Sequence, residues 1–275
     1  MADTTGPEAG AAKVRLGTLT SAEAVDRLRS GATVLLPLGS QEDQGPHTPM
    51  GDYLSAERIC VLIADKAIGS GHDVLVAPVL PFGGRDFFGS RIGGIALEQT
   101  TLRLVLRDML GGFLRHGVSR LIVVNGHGGN AQAIHDVTQE ILLARGVLIP
   151  CFHLWKIAGA LLPDLLGDDL AARSAGHGAD PLASVAMHLF PGLMRPDLVP
   201  AEPAAPRRVA GLEVTGFGTA RLGGIEIGVP LEIGENAVTG DARLCSAETG
   251  AALVARLVEA GAALVAHLAG EPGKA

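Results

Sequence analysis

The chain is poor in several things that would point to a particular way of life. Only 19% of its 275 residues are charged, against roughly 25% in an average soluble domain. The balance is acidic, with 22 Lys+Arg and 29 Asp+Glu for a formal charge of −7. Such a surface has no electrostatic footprint for nucleic acid or an anionic membrane. No stretch reads as a membrane span of roughly 20 apolar residues; the uncharged run from Pro181 to Met194 is too short. The first twelve residues lack the basic start and apolar block of a signal peptide, so a flexible tail and a cytoplasmic location are expected. Three cysteines (Cys60, Cys151, Cys245) sit in apolar contexts at no ligand spacing, as reduced core residues would. HExxH, paired CxxC, a Walker loop, GxGxxG and a GxSxG elbow are all missing, which excludes the common zincin, nucleotide and serine-hydrolase readings.

What is present is a hydrophobic content of 47% arranged in alternation. Apolar runs at Ala32–Leu38, Asp73–Val79, Arg120–Val124 and Val147–Phe152 read as strands buried on both faces, the first ending at Pro37. Between them, helical spacing runs over Glu23–Arg29 behind a Thr20 or Ser21 cap, Ser55–Ile68, Glu98–His116 (stopped by Gly117) and Ala131–Leu143. A helix is expected around Ser184–Phe190, a loop over 197–209, short strands within 210–235 and a long helix over Ser246–Leu268. Fully apolar strands alternating with helices predict a layered α/β/α fold, with a mostly parallel central sheet. No linker or repeat is apparent, so residues 13–275 are expected to form one catalytic domain.

Ligands of such sheets gather at the carboxyl ends of the strands. Three loops there are unusually polar. Gly39–Tyr53 holds Glu42, Asp43, Gln44, His47 and Asp52; Asn125–Asn130 reads NGHGGN, with His127 among glycines; the segment after Phe152 brings His153 and Trp155. Further on, Gly176–Ser184 carries His177 and Asp180. Carboxylates and imidazoles converging in this way suit a divalent ion such as Zn²⁺, Mn²⁺ or Fe²⁺ with open positions. The bland alternatives are definite. Asp52 is a good helix N-cap, Asp180 could cap ahead of Pro181, His127 could bond backbone, and Trp155 could be core.

At these residues the chain resembles the creatininase family, whose members carry Gly-Ser-Thr-Glu-Gln-His-Gly-Pro-His followed by Leu-Pro-Leu-Gly-Thr-Asp. They also carry Asn-Gly-His-Gly-Gly-Asn and a third motif like His-Ala-Gly-Glu-x-Glu-Thr-Ser. Here Gly39–His47 reads GSQEDQGPH, Thr48–Asp52 reads TPMGD, Asn125–Asn130 is intact and His177–Ser184 reads HGADPLAS. Thr239–Gly250 adds a family-like tail, and the likeness runs over roughly residues 30 to 260.

The resemblance implies a layered α/β fold, usually a hexamer, and metal-dependent hydrolysis of a non-peptide C–N bond in a ring or a formamide. It matches Glu42, Asp52 and His127 to metal ligands, Asp52 to a bridging carboxylate, His177 to a proton-handling histidine, and Asp180 to the first glutamate of the third motif. The departures are Gln44 for a ligand histidine, Leu182 for the second glutamate, and Gly-Asp-Tyr for Gly-Thr-Asp. One firm Zn or Mn site (or Fe) and a small-molecule substrate other than creatinine are therefore expected.

Around that centre, Gln44, Asn125, Gly128, Trp155 and Arg85 are candidate substrate or supporting contacts. His47 is expected to steady a carboxylate ligand from behind. Asp86 and Arg91 line either the substrate site or a subunit interface. The alternatives are a ring-opening hydrolase of an inosose-type cyclic ketone and a non-hydrolytic binding or assembly subunit.

Overall fold

A computed structural model describes residues 13–84, 91–203, 205, 207–216, 218–230 and 238–270. The expected tail over residues 1–12, and Arg85 and Asp86, lie outside the described residues. In chain order the first half runs α1 (Ser21–Arg29), β1 (Thr33–Leu38), α2 (Asp52–Gly69), β2 (Val74–Val76), α3 (Gln99–Arg115), β3 (Leu121–Asn125), α4 (Ala131–Arg145) and β4 (Cys151–His153). Then follow α5 (Leu154–Leu166), α6 (Asp168–Ser174), α7 (Leu182–Leu189), β5 (Arg208–Val209), β6 (Leu212–Gly216), β7 (Thr219–Leu222), β8 (Ile225–Gly228) and α8 (Ala247–Gly270).

β1 to β4 form one parallel sheet in the order β2-β1-β3-β4. Successive side chains of a strand face opposite sides, so an unbroken apolar run needs cover on both. That is what happens. Val74, Val76, Leu35, Ile122, Val124 and Phe152 pack with α2, α5, α7 and α8. Leu75, Val34, Leu36, Leu38, Leu121 and Val123 pack with α3 and α4. The α/β/α layering is thus as expected. A second, antiparallel sheet β5-β6-β7-β8 occupies part of the glycine-rich stretch in which short strands are expected.

Strand β1 does not stop at Pro37, as expected, but continues to Leu38, with Pro37 opposite Val124 of β3. The hydrogen bonds explain the tolerance. Thr33 and Gly39 donate to the β2 side, at Asp73 and Leu80, whereas Val34 donates to Arg120 on the β3 side. Pro37 belongs to the first series, where β2 has already ended at Val76, so its missing N–H costs no ladder bond. Strand β2 is shorter than its apolar run because pairing ends at Val76, and β4 is shorter because pairing begins only at Cys151. Helix α1 is capped by Thr20, which exchanges bonds with Glu23 in a capping box.

Helices α5 and α6 have no counterpart in the sequence reading. The segment LWKIAGALLPDLL is apolar nearly all round and carries Pro163 within the helix, so no polar face announces it. One helix does reach the length and apolarity of a membrane span, as a core helix also can. Helix α8 is long and apolar enough by length and composition. Its Leu253, Val254, Leu257 and Val265 are buried in the layer shared with α2, α5 and α7.

The chain leaves β1 through α2 to β2 on one side, then returns through α3 to β3 on the other. The strand order reverses between β1 and β3. At such a switch point the two outgoing loops diverge and leave a crevice at the carboxyl ends.

Candidate metal centre

Two loops meet in that crevice. The first leaves β1 at Leu38 and folds back on itself: the Glu42 amide donates to Met50 O at 2.9 Å, and Gln41 bridges both Gly51 and Ile95. This brings Glu42 alongside Asp52, the first residue of α2. Asp52 is not a helix cap. Gly51 holds the cap position, and Asp52 Oδ1 accepts from the Ser40 amide at 2.5 Å, turning the carboxylate out of the helix.

The second loop leaves β3 at Asn125. Its carboxamide braces the turn: Oδ1 accepts from the His127 amide at 3.2 Å and Nδ2 donates to His127 O at 2.6 Å. Asn130 ties the crevice together, donating to Gly39 O at 3.2 Å and accepting from the Gly84 amide at 2.7 Å. His127 Nε2 lies 3.2 Å from Gly84 O. A carbonyl only accepts, so Nε2 carries the proton and Nδ1 faces the carboxylates. Glycine is required beside it, since a Cβ on Gly83 would sit 2.8 Å from His127 Cδ2 and 2.6 Å from Gly39 O.

His127 Nδ1 is 3.2 Å from Glu42 Oε1 and 3.4 Å from Asp52 Oδ2. One ligand atom from each of the three residues lies within 4.8 Å of the others, and all three residues are buried. Burial pushes the Asp52 carboxyl up. It opposes charge on Glu42 as well, but the neighbouring His127 and His177 hold that carboxyl well below its usual range. Burial likewise opposes a charged His127, yet Glu42 and Asp52 together raise its pKa well above the ordinary value.

Two carboxylates are thus buried with one imidazole. Among the described residues no lysine or arginine is ion-paired with either. Buried charge of this kind needs a paired cation. A divalent ion fits the charge, the donor types and the closeness of the three atoms. Among the described residues this is the sole group of three such ligands.

The cluster lies in a cavity of about 1040 Å³. Gln44, Gly128, Trp155, His177 and Asp180 also line it. Gln44 Nε2 donates to Glu42 Oε1 at 2.7 Å, so the residue standing where the family has a ligand histidine steadies a carboxylate through its amide. The Trp155 indole N–H bonds Gly126 O and holds the ring as a wall. His177 Nε2 is 3.5 Å from Glu42 Oε1, and its amide donates to Thr239 Oγ1 at 2.8 Å. Asp180, joined to Pro181 by a cis peptide bond, accepts from the Ser184 hydroxyl on Oδ1; its Oδ2 is buried with no nitrogen or oxygen partner among the described residues. Helix α7 begins at Leu182 with Pro181 at the cap, so Asp180 does not cap it.

Asn125 supports His127 from behind, as described above. His47 stands elsewhere than expected. Its ring is buried beside the Gly178 backbone, under the His177 loop, and among the described residues it bonds neither Glu42 nor Asp52. Arg85 cannot be placed, because it lies outside the described residues. Arg91 pairs with Asp43 at 2.7 Å and is not among the described lining residues, so Asp43 is a loop brace.

Ser40, Gly83, Gly84, Asn130 and Thr239 were not legible as site residues. The closing asparagine of NGHGGN and the paired glycines after β2 were the signals available; Ser40 and Thr239 gave none.

The creatininase family profile, described as creatinine amidohydrolase, matches residues 17–265. A mycofactocin precursor peptide peptidase of Mycobacterium ulcerans (strain Agy99) is 29% identical over 249 residues, 89% of this chain and 87% of that protein. A creatinine amidohydrolase of Pseudomonas putida is 28% identical over 211 residues, 70% of this chain and 78% of that protein. A crystal structure of creatinine amidohydrolase (creatininase) superposes with a TM-score of 0.74 at 22% identity, covering 94% of this chain and 99% of that one. Creatininase structures named as a zinc–zinc form and a manganese form share the fold, with TM-scores of 0.72 and 0.71 at 21% and 22% identity. Each covers 92% of this chain, and 97% and 98% of its own.

Proposed function

The chain belongs to the creatininase family, and from that premise we propose that it is a metal-dependent amidohydrolase cleaving a C–N amide bond with water. The observation that carries this reading is the buried trio Glu42, Asp52 and His127 on the wall of a large cavity. Those three residues hold the ion, with zinc or manganese as its identity. A divalent ion there supplies Lewis acidity, polarising a carbonyl oxygen and lowering the pKa of water towards neutrality.

The protein's own groups do the rest. Gln44 and Ser40 fix the two carboxylates; Gly84 fixes the His127 tautomer. His177 is the proton carrier, close enough to Glu42 to collect a proton at the cluster and pass it to the leaving nitrogen. Asp180, whose buried Oδ2 has no nitrogen or oxygen partner among the described residues, accepts a hydrogen bond from a leaving amine or orients His177. Trp155 and Leu162 give the amide an apolar wall that excludes water.

Cyclic amides and formamides are the first substrate class. One observation favours a second, the end of a peptide. The cavity, about 1040 Å³, is at the upper limit of the ~300–1,000 Å³ usual for small-ligand pockets. The similarity to the mycobacterial peptidase points the same way.

The test is turnover in H₂¹⁸O with zinc- or manganese-loaded protein, on creatinine, an N-formyl amino acid and short peptides, read by mass spectrometry. One ¹⁸O in the acid product, only with metal present, is expected. Metal-independent cleavage, or a product without the label, refutes the reading. A small amide alone being cleaved decides for the first substrate class, a peptide alone for the second.

A further inference from the structure

Beside the main cavity lies a side pocket of about 200 Å³. The two share His127, Gly128, Ala131, Trp155 and Lys156, and Asn125 and His153 close the side pocket. It is built where β4 gives way to α5, so His153 and Lys156 arrive together at the strand's carboxyl end.

Two donors face it. Asn125 is already oriented by its two bonds to the His127 backbone, which put its Nδ2 3.1 Å from His153 Nδ1. An amide nitrogen only donates, so Nδ1 accepts and the imidazole proton sits on Nε2. Lys156 is exposed, and among the described residues it makes no hydrogen bond or ion pair. It is also the sole lysine or arginine among the described residues lining either space. Burial, with the Lys156 charge beside it, lowers the His153 pKa and favours the neutral ring, whose Nε2–H is a donor. The other charged residues of the described lining are the acidic Glu42, Asp52 and Asp180. Beyond the ion site itself, Lys156 is thus the cationic point of the described lining to which a substrate anion is drawn.

We propose that the side pocket is a carboxylate subsite, in which Lys156 Nζ and His153 Nε2–H hold an anionic group of the substrate while its amide lies over the Glu42–Asp52–His127 cluster. This rests on the amidohydrolase reading and narrows it to amides that carry a carboxylate. Lys156 and His153 are positioning residues and determine specificity.

The test is calorimetric binding of N-acetyl-L-valine and N-acetyl-L-valinamide to the zinc-loaded full chain. The pair differ by one charge. The acid is expected to bind about 10-fold or more tighter, the size of a charge-assisted hydrogen bond. Lys156→Gln should reduce that preference to about twofold or less, Lys156→Arg should retain most of it, and His153→Phe should weaken it. Equal affinities in the wild type, no detectable binding of the acid, or a preference that survives Lys156→Gln overturns the proposal. A preference that survives Lys156→Gln and vanishes when zinc is stripped places the carboxylate on the ion instead. Titrating the metal-free protein alongside reads binding without turnover. A Lys156-dependent preference in a protein that hydrolyses nothing upholds the subsite and sinks the hydrolase reading; hydrolysis without the preference does the reverse.

Discussion

Replacing Glu42 with glutamine tests the centre most directly. The side chain keeps its volume and loses its charge. Glu42 Oε1 lies 3.2 Å from His127 Nδ1, accepts from Gln44 at 2.7 Å and is 3.5 Å from His177 Nε2. Two unit charges at that first separation interact by about 5 kcal/mol at an effective dielectric of about 20, and a divalent ion would feel more. Part of this is offset by desolvation, and the amide oxygen keeps a dipole. A net loss of about 4 kcal/mol corresponds to about a thousandfold weaker metal binding.

The readout is thermal unfolding against zinc. At a zinc concentration 100 times the wild-type dissociation constant, binding stabilises the native state by about 2.7 kcal/mol. At about 2–4 °C per kcal/mol, this raises the wild-type melting temperature by about 5–10 °C. In Glu42→Gln the same zinc contributes less than about 0.1 kcal/mol, so the shift disappears. Without metal the variant should be less stable than the wild type at neutral pH, because it loses the pairing with His127 and His177 that holds the Glu42 carboxyl below its usual range. A zinc-dependent shift equal to that of the wild type would refute Glu42 as a ligand.

Chelation should abolish hydrolysis, zinc or manganese should restore it, and elemental analysis should find one ion per chain; full activity after exhaustive chelation would refute the metal role. Metal affinity should rise with pH through the neutral range. Glu42 and Asp52 raise the His127 pKa in the cation-free cluster, so below that pKa the ion must displace a proton from Nδ1. Calorimetry in buffers of different ionisation enthalpy would register the released proton, and affinity independent of pH would count against it. His177→Asn should lower kcat by about 10²–10⁴-fold with metal content unchanged, and an unchanged kcat would remove His177 from the chemistry. Thr20→Ala breaks the capping box of α1 and should cost about 1 kcal/mol in unfolding while leaving turnover intact.

The local chemistry of the chain was legible in order. Unbroken apolar runs required strands covered on both faces, and Val34, Leu35, Leu121 and Ile122 took those positions because alternate side chains face opposite layers. Glu42, Asp52 and His127 stood out because polar residues crowd into two strand-end loops, where polarity has no packing reason. Whether their tips meet was not written in the spacing. It depended on the strand order placing β1 next to β3 across a reversal, on Ser40 drawing the Asp52 carboxylate out of its helix, and on Gly84 choosing which imidazole nitrogen faces inwards. Tertiary structure also separated His47 from the cluster and brought Lys156 to its rim, from a helix with no polar face to announce it. Sequence determines which residues a segment can bury or expose. Long-range strand pairing decides which exposed residues become neighbours, because loops far apart in the chain converge only when the sheet sets their origins side by side.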